Sequence, residues 1–260
     1  MAEILTACRE VLDAYRSGKL GQTEMPEDSN PGFTEEEIEQ RYAYFSLPMA
    51  LNYQRNSYTM WKSALQTYRD PDVTDVFDVV KVNKLSPAEL QAKLTKHKLA
   101  LQPNKHIATW RSIANTIVVN WGSFEALLKA SEFDFVQLRS LVQEKYKKGF
   151  PYLSGPKIFN YWSFILNQYC GANLKNSDLI EIAPDTHVIK CSVLLGVITK
   201  TEAETMERQE ISEKWRNILQ GSGIKPIDMH PVLWFWSRNG FIYKPAGVFD
   251  VCSAHFFQTR

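Results

Sequence analysis

Apolar residues return at helical spacing along almost the whole chain, and strand-like alternation is nearly absent. That pattern restricts the chain to an all-α fold. Ala2–Arg16 reads as an amphipathic helix with Ile4, Leu5, Val11, Leu12 and Tyr15 on one side. Residues 17–32 are polar and carry Gly and Pro, which predicts an exposed linker. Thr34-Glu35-Glu36-Glu37 places a hydroxyl three residues before a glutamate, a helix start. The helix it opens is expected to run to about Phe45, and a second to begin at Leu47-Pro48. Ser57 is expected to cap a helix over 58–68, and Ser86-Pro87 to open another with Pro at its first position. Further helices are predicted over 105–121, 123–130, 135–146, 156–169, 186–195, 201–219 and 231–239. Residues 76–82 are the single β-rich run and read as a helix end or a short extended piece.

The 260 residues suffice for a substantial core. Lys plus Arg number 30 against 29 for Asp plus Glu. That balance argues against a histone-like coat of charge but leaves room for a local basic face. Cys8, Cys170, Cys191 and Cys252 are too scattered for a zinc knuckle, a redox motif or an iron–sulfur set, so buried thiols in a reducing compartment are expected. No cofactor and no metal are implied, since no His, Cys and carboxylate residues group along the chain. No apolar run approaches the ~20 residues that span a bilayer, and Met1-Ala2-Glu3-Ile4 lacks a signal-peptide pattern. The expectation is a soluble intracellular protein of the cytoplasm, nucleoid or nucleus, monomeric and without a membrane partner.

Two short segments carry candidate chemistry. In Leu153-Ser154-Gly155-Pro156-Lys157, a glycine turn would join two helices, and its backbone N–H groups would suit a phosphate. Gly155 is expected to permit the turn, and Pro156 suits a first helical position. Lys157 would sit in the first helical turn, where the macrodipole opposes its charge and favours the nucleophilic amine; a solvated surface cation is the plainer alternative. In Pro184-Asp185-Thr186-His187-Val188, Asp185 reads as an N-cap. The same carboxylate can stabilise positive charge growing on a sugar or activate a nucleophile. His187 would follow it in the helix, bonding to backbone or phosphate.

Leu153-Ser154-Gly155, Lys157 and Pro184-Asp185-Thr186-His187-Val188 together resemble the helix-hairpin-helix (HhH-GPD) glycosylase superfamily of base-excision repair. There a Leu-Pro-Gly-type hairpin leads to a catalytic lysine, and a Val-Asp-Thr-His-type segment carries the essential aspartate. Leu51-Asn52-Tyr53-Gln54-Arg55-Asn56 is similar to the family segment whose glutamine enters the duplex. Pro103-Asn104-Lys105-His106 resembles the turn before the helix that leads to the hairpin. His230-Pro231-Val232-Leu233-Trp234 with Ser237-Arg238-Asn239-Gly240 resembles the terminal helix. The second hairpin glycine is absent and the interval from Lys157 to Asp185 is long, which is similar to the archaeal-type 8-oxoguanine glycosylase branch. The iron–sulfur cysteines of the endonuclease III branch are missing.

The resemblance implies a two-lobed helical fold with a cleft: a body over 34–245, an N-terminal helix and linker over 1–33 packed on it, and a C-terminal segment over 246–260. It implies excision of a damaged base, such as 8-oxoguanine, from a flipped nucleotide of double-stranded DNA. Lys157 and Asp185 would be catalytic. Gln54, Arg55, Asn56, Leu153, Ser154, Gly155 and His187 would contact DNA, with Arg139, Lys145, Lys147 and Lys148 flanking the hairpin. Trp61, Trp162, Trp234 and Trp236 are candidates to stack on the base, Trp234 foremost, with Asp228 and His230 at its edge. Three rivals stay open: a monofunctional glycosylase using Asp185 and water, a glycosidase acting on a free nucleoside, and a non-catalytic nucleic-acid-binding module.

Overall fold

The computed structural model describes residues 1–52 and 55–246. Among them are 13 α-helices and no strand. In chain order these are α1 (Ala2–Arg16), α2 (Ile38–Leu51), α3 (Ser57–Arg69), α4 (Val79–Lys84), α5 (Pro87–Lys96), α6 (Pro103–Asn120), α7 (Phe124–Ala130), α8 (Phe135–Arg139), α9 (Pro156–Cys170), α10 (Thr186–Leu194), α11 (Lys200–Thr205), α12 (Arg208–Leu219) and α13 (Met229–Arg238). The chain forms two compact units. The first joins Met1–Glu24 to the chain from Asp178 onward, and the second is Met25–Ser177. Of the expected C-terminal segment, only Ala246 lies within the described residues.

In the second unit α2 is the central helix. Every residue from Tyr42 to Leu51 is buried, as befits a helix apolar on all sides. It packs against α9, α6, α7 and α3. Phe33, Tyr44, Phe45, Trp61, Tyr68 and Phe77 interlock around it, mostly tilted or edge to face, the geometry aromatic quadrupoles favour. Two of the buried indoles find polar partners: Trp162 Nε1 donates to Ser46 Oγ at 2.9 Å and Trp110 Nε1 to the Val76 carbonyl at 2.9 Å.

The first unit is built on α13, which packs against α10 and α1. Val11, Val188, Trp215, Val232 and Trp236 are among its fully buried residues. The Cys191 thiol donates to the Leu233 carbonyl at 3.1 Å and Trp215 Nε1 to Ser192 Oγ at 2.8 Å, so α10 is tied to both α13 and α12. Cys8, Cys170 and Cys191 are all buried; burial pushes the Cys8 thiol up to about 12. Cys252 lies outside the described residues.

Several local expectations are corrected. Residues 17–32 are not an exposed linker throughout: Leu20 is buried in the core of the first unit, and Met25, Pro26 and Glu27 are buried where Pro26–Asp28 forms a 3-10 turn that packs on α3. The break expected between Phe45 and Leu47 does not occur. α2 runs through Pro48, at the cost of one i to i−4 bond, with burial on every side holding it. Asn56, not Ser57, caps α3, accepting from the Thr59 amide at 3.1 Å. The helix expected over 135–146 changes to π geometry over Ser140–Lys145. The one expected over 201–219 is split, because Glu207 opens a new capping box at the head of α12. The β-rich run becomes the 3-10 turn Thr74–Phe77 followed by α4, which Asp78 caps.

One glycine of the second unit has no room for a side chain. A Cβ on Gly149 would lie 2.3 Å from Thr116 Oγ1 and 2.6 Å from Thr116 Cγ2. Gly149→Ala is expected to destabilise the protein by about 1–3 kcal/mol, the usual cost of overpacking. Adding Thr116→Ala is expected to recover most of that loss; chemical denaturation of the single and double variants checks it. Equal stabilities for Gly149→Ala and the parent would contradict the close approach.

Candidate active site

Asp185 heads α10 and caps it: Oδ1 accepts from the Val188 amide at 2.9 Å. The carboxylate is half-buried and stands at the N-terminal end of the helix. Around it α10 and α13 of the same unit assemble a polar–aromatic wall. His187 Nδ1 lies 3.0 Å from Ser237 Oγ, and its ring meets Trp234 edge-on at 5.6 Å. The Arg238 guanidinium lies over the Trp234 ring, 4.9 Å from its centroid, a cation–π arrangement. Burial pushes the His187 ring below its ordinary value, an effect Asp185 partly offsets. A neutral imidazole suits hydrogen bonding to a hydroxyl or phosphate rather than ion pairing.

Of the four tryptophans considered for stacking, Trp61, Trp162 and Trp236 are fully buried core residues, whereas Trp234 is half-exposed. Its helix begins just after Asp228, which is exposed, and carries His230, which is 7% exposed. His230 and Trp234 stand four residues apart and so share one face of α13.

The hairpin and Lys157 belong to the second unit. Leu153 and Ser154 are buried. The turn is built differently from the expectation. Gly155 has φ −66°, open to any residue, and the left-handed position is Tyr152 at φ +64°. The amides of Leu153, Ser154 and Gly155 donate to the carbonyls of Pro151, Phe150 and Tyr152 at 2.8, 2.9 and 3.0 Å. They are therefore spent inside the turn. In the first turn of α9 Pro156 has no N–H, and the Lys157 and Ile158 amides precede the helical bonding. Lys157 is exposed there. The π segment braces the turn, with Gln143 Nε2 donating to the Ser154 carbonyl at 3.0 Å. Arg139, Lys145, Lys147 and Lys148 are all exposed, giving this part of the unit a run of solvent-facing cations.

The other predicted contacts are placed as follows. Arg55 donates through Nη1 to the Leu99 carbonyl at 2.5 Å and through Nη2 to the Lys98 carbonyl at 3.0 Å. The Asn56 carboxamide is the α3 cap described above. Both side chains therefore hold backbone, Asn56 within its own helix and Arg55 on a turn distant in sequence. Gln54 lies outside the described residues. Among the described residues no three His, Cys, Asp or Glu side chains group to hold a metal ion, and no helix is long and apolar enough to cross a membrane. A cavity of about 600 Å³ in the first unit is lined by Asp178, Arg216, Lys225 and the loop after α12, and by none of the predicted site residues.

The contact of Ser237 with His187 and the burial of Glu27 carry no local signal in the sequence. Ser237 touches His187 across 50 positions, with no local signal. Glu27 lies in a segment whose Gly, Pro and charge content mimics a solvated linker. In sequence comparison no protein-family model matches the chain, and no curated protein matches it.

Proposed function

We propose that the protein is a DNA glycosylase with lyase activity that removes a damaged base, an oxidised purine such as 8-oxoguanine, from a flipped nucleotide. The observation that carries this reading is the setting of Asp185: a half-exposed carboxylate fixed at the head of the helix that carries His187, whose ring meets Trp234 where Arg238 covers the indole. As the base leaves, positive charge grows on the sugar, and a preorganised carboxylate stabilises it more than it stabilises the ground state. Trp234 is half-exposed, and its indole suits stacking on an extruded base once the Arg238 guanidinium above it moves aside. Lys157, exposed at the head of α9, attacks C1′ of the sugar, forms a Schiff base after ring opening, and permits strand cleavage by elimination. The first turn of α9 and the neighbouring lysines hold phosphates beside the lesion, and Gln54 fills the gap in the duplex.

A second reading has Lys157 as a phosphate contact and water as the nucleophile. It is favoured by the internal bonding of the hairpin amides, which leaves the turn that carries Lys157 as the donor of that region. Borohydride trapping on a lesion-containing duplex decides between them. A covalent protein–DNA adduct is expected with the parent and is expected to vanish in Lys157→Ala. Base release without any adduct in the parent establishes the second reading instead.

A further inference from the structure

Arg55 and His106 grip one surface turn of the second unit from its two ends. Arg55 bonds the carbonyls of Lys98 and Leu99, while His106 Nδ1 accepts from the Leu101 amide at 3.1 Å. Lys98 holds this turn in the left-handed region at φ +58°. With Nδ1 accepting, a neutral His106 ring carries its proton on Nε2. That Nε2–H and the Arg55 Nε–H are both buried and without an acceptor among the described residues. His106 as a whole is 2% exposed, and Arg55 is half-buried. A buried donor left unpaired costs about 1–3 kcal/mol, and each of the two side chains that hold this turn carries one.

The charge around them has one sign. No carboxylate of the described residues pairs with the Arg55 guanidinium, whose pKa burial lowers. Burial also lowers the His106 ring, and Arg55 and then Lys105 lower it further, with no acid opposing them. Lys98 and Lys105 are exposed beside the same turn. A partly desolvated cation without a counter-ion is costly. What this place lacks is one negatively charged group offering several acceptor oxygens.

We infer that Arg55 and His106 form an oxyanion site that takes a phosphate group, with Lys105 adding to its positive field. Phosphate supplies the charge, the lone pairs for both orphaned donors, and the geometry that guanidinium groups bind well. The site stands independently of base excision, since either a free phosphate ion or a nucleic-acid backbone phosphate satisfies it.

Nitrogen-15 NMR of the His106 ring in the full chain tests the inference. Sodium phosphate is titrated against sodium chloride at matched ionic strength, and then a short undamaged duplex is added. Phosphate is expected to move the Nε2 resonance saturably and to raise the His106 pKa, while chloride does neither. Arg55→Lys keeps the charge but loses Nε, and is expected to weaken phosphate about tenfold. Lys105→Met leaves both grips on the turn intact and is expected to weaken it about threefold. The same displacement by the duplex identifies a backbone phosphate as the occupant; displacement by phosphate alone identifies the free ion. A phosphate response no greater than that of chloride overturns the inference, the two donors then being served by water. Parent-like phosphate affinity in both variants overturns it as well.

Discussion

Asp185→Asn is expected to lower the rate of base release at least about a hundredfold while leaving the fold intact. Losing one preorganised electrostatic partner of a charge that develops in the transition state typically costs 10²–10³ in rate. The stability expectation rests on a different property of the same residue. Asp185 caps α10 through one oxygen to the Val188 amide, and asparagine caps as well as aspartate. The substitution therefore separates the two roles. Single-turnover release from a lesion-containing duplex, beside thermal unfolding of the same samples, reads both. A variant with parent-like release and unchanged melting leaves Asp185 as a cap alone and removes it from the excision chemistry, whereas no release from the parent itself favours a non-catalytic nucleic-acid-binding module.

Glu27→Gln is expected to flatten the dependence of stability on pH. The Glu27 carboxyl is 2% exposed. Tyr161 donates to Oε1 at 3.1 Å, while Oε2 has no partner among the described residues. No cation pairs with it, and Asp28 beside it adds repulsion. The Trp61 indole N–H favours the carboxylate slightly but falls outside hydrogen-bond geometry, so it too is buried unpaired. Burial, against these smaller aids, raises the carboxyl from 4.5 to about 7. The folded protein thus holds this proton more tightly than the unfolded chain. The resulting stability is full below about pH 4.5, falls as pH rises, and is gone above about pH 7, a loss of about 3 kcal/mol. Glutamine keeps the shape and carries no charge, so its advantage over the parent is expected to grow between pH 5 and 8. Urea unfolding at intervals across that range checks it; parallel profiles for the two proteins contradict a neutral, buried Glu27.

These two residues also mark what was legible in the chain. Asp185 was readable because an N-cap is a local device, set by a short polar residue ahead of an apolar helical repeat. The same holds for the Ser86–Glu89 capping box and for α1, whose bounds match their expectation. Glu27 was not readable, because its burial is decided by Trp61 and Tyr161, distant in sequence. Pro48 misled for a similar reason: a proline argues for a helix break locally, whereas packing on every side of α2 holds the helix through it. At the hairpin, Leu-Ser-Gly-Pro announced a turn but not its bonding. Tyr152 takes the left-handed position and the turn consumes its own amides, which moves the available donors into α9. On α13 the spacing placed His230 and Trp234 together, but the partnership of Trp234 with His187 and Arg238 needed the packing of α10 on α13.

Excision by this protein is tested most directly by base release by the intact chain from a panel of duplexes, each carrying one lesion, beside an undamaged duplex and the free 8-oxoguanine nucleoside. Release is expected from a damaged duplex, strongest for an oxidised purine, and none from undamaged DNA. Release from the free nucleoside alone, or from no substrate of the panel, contradicts it.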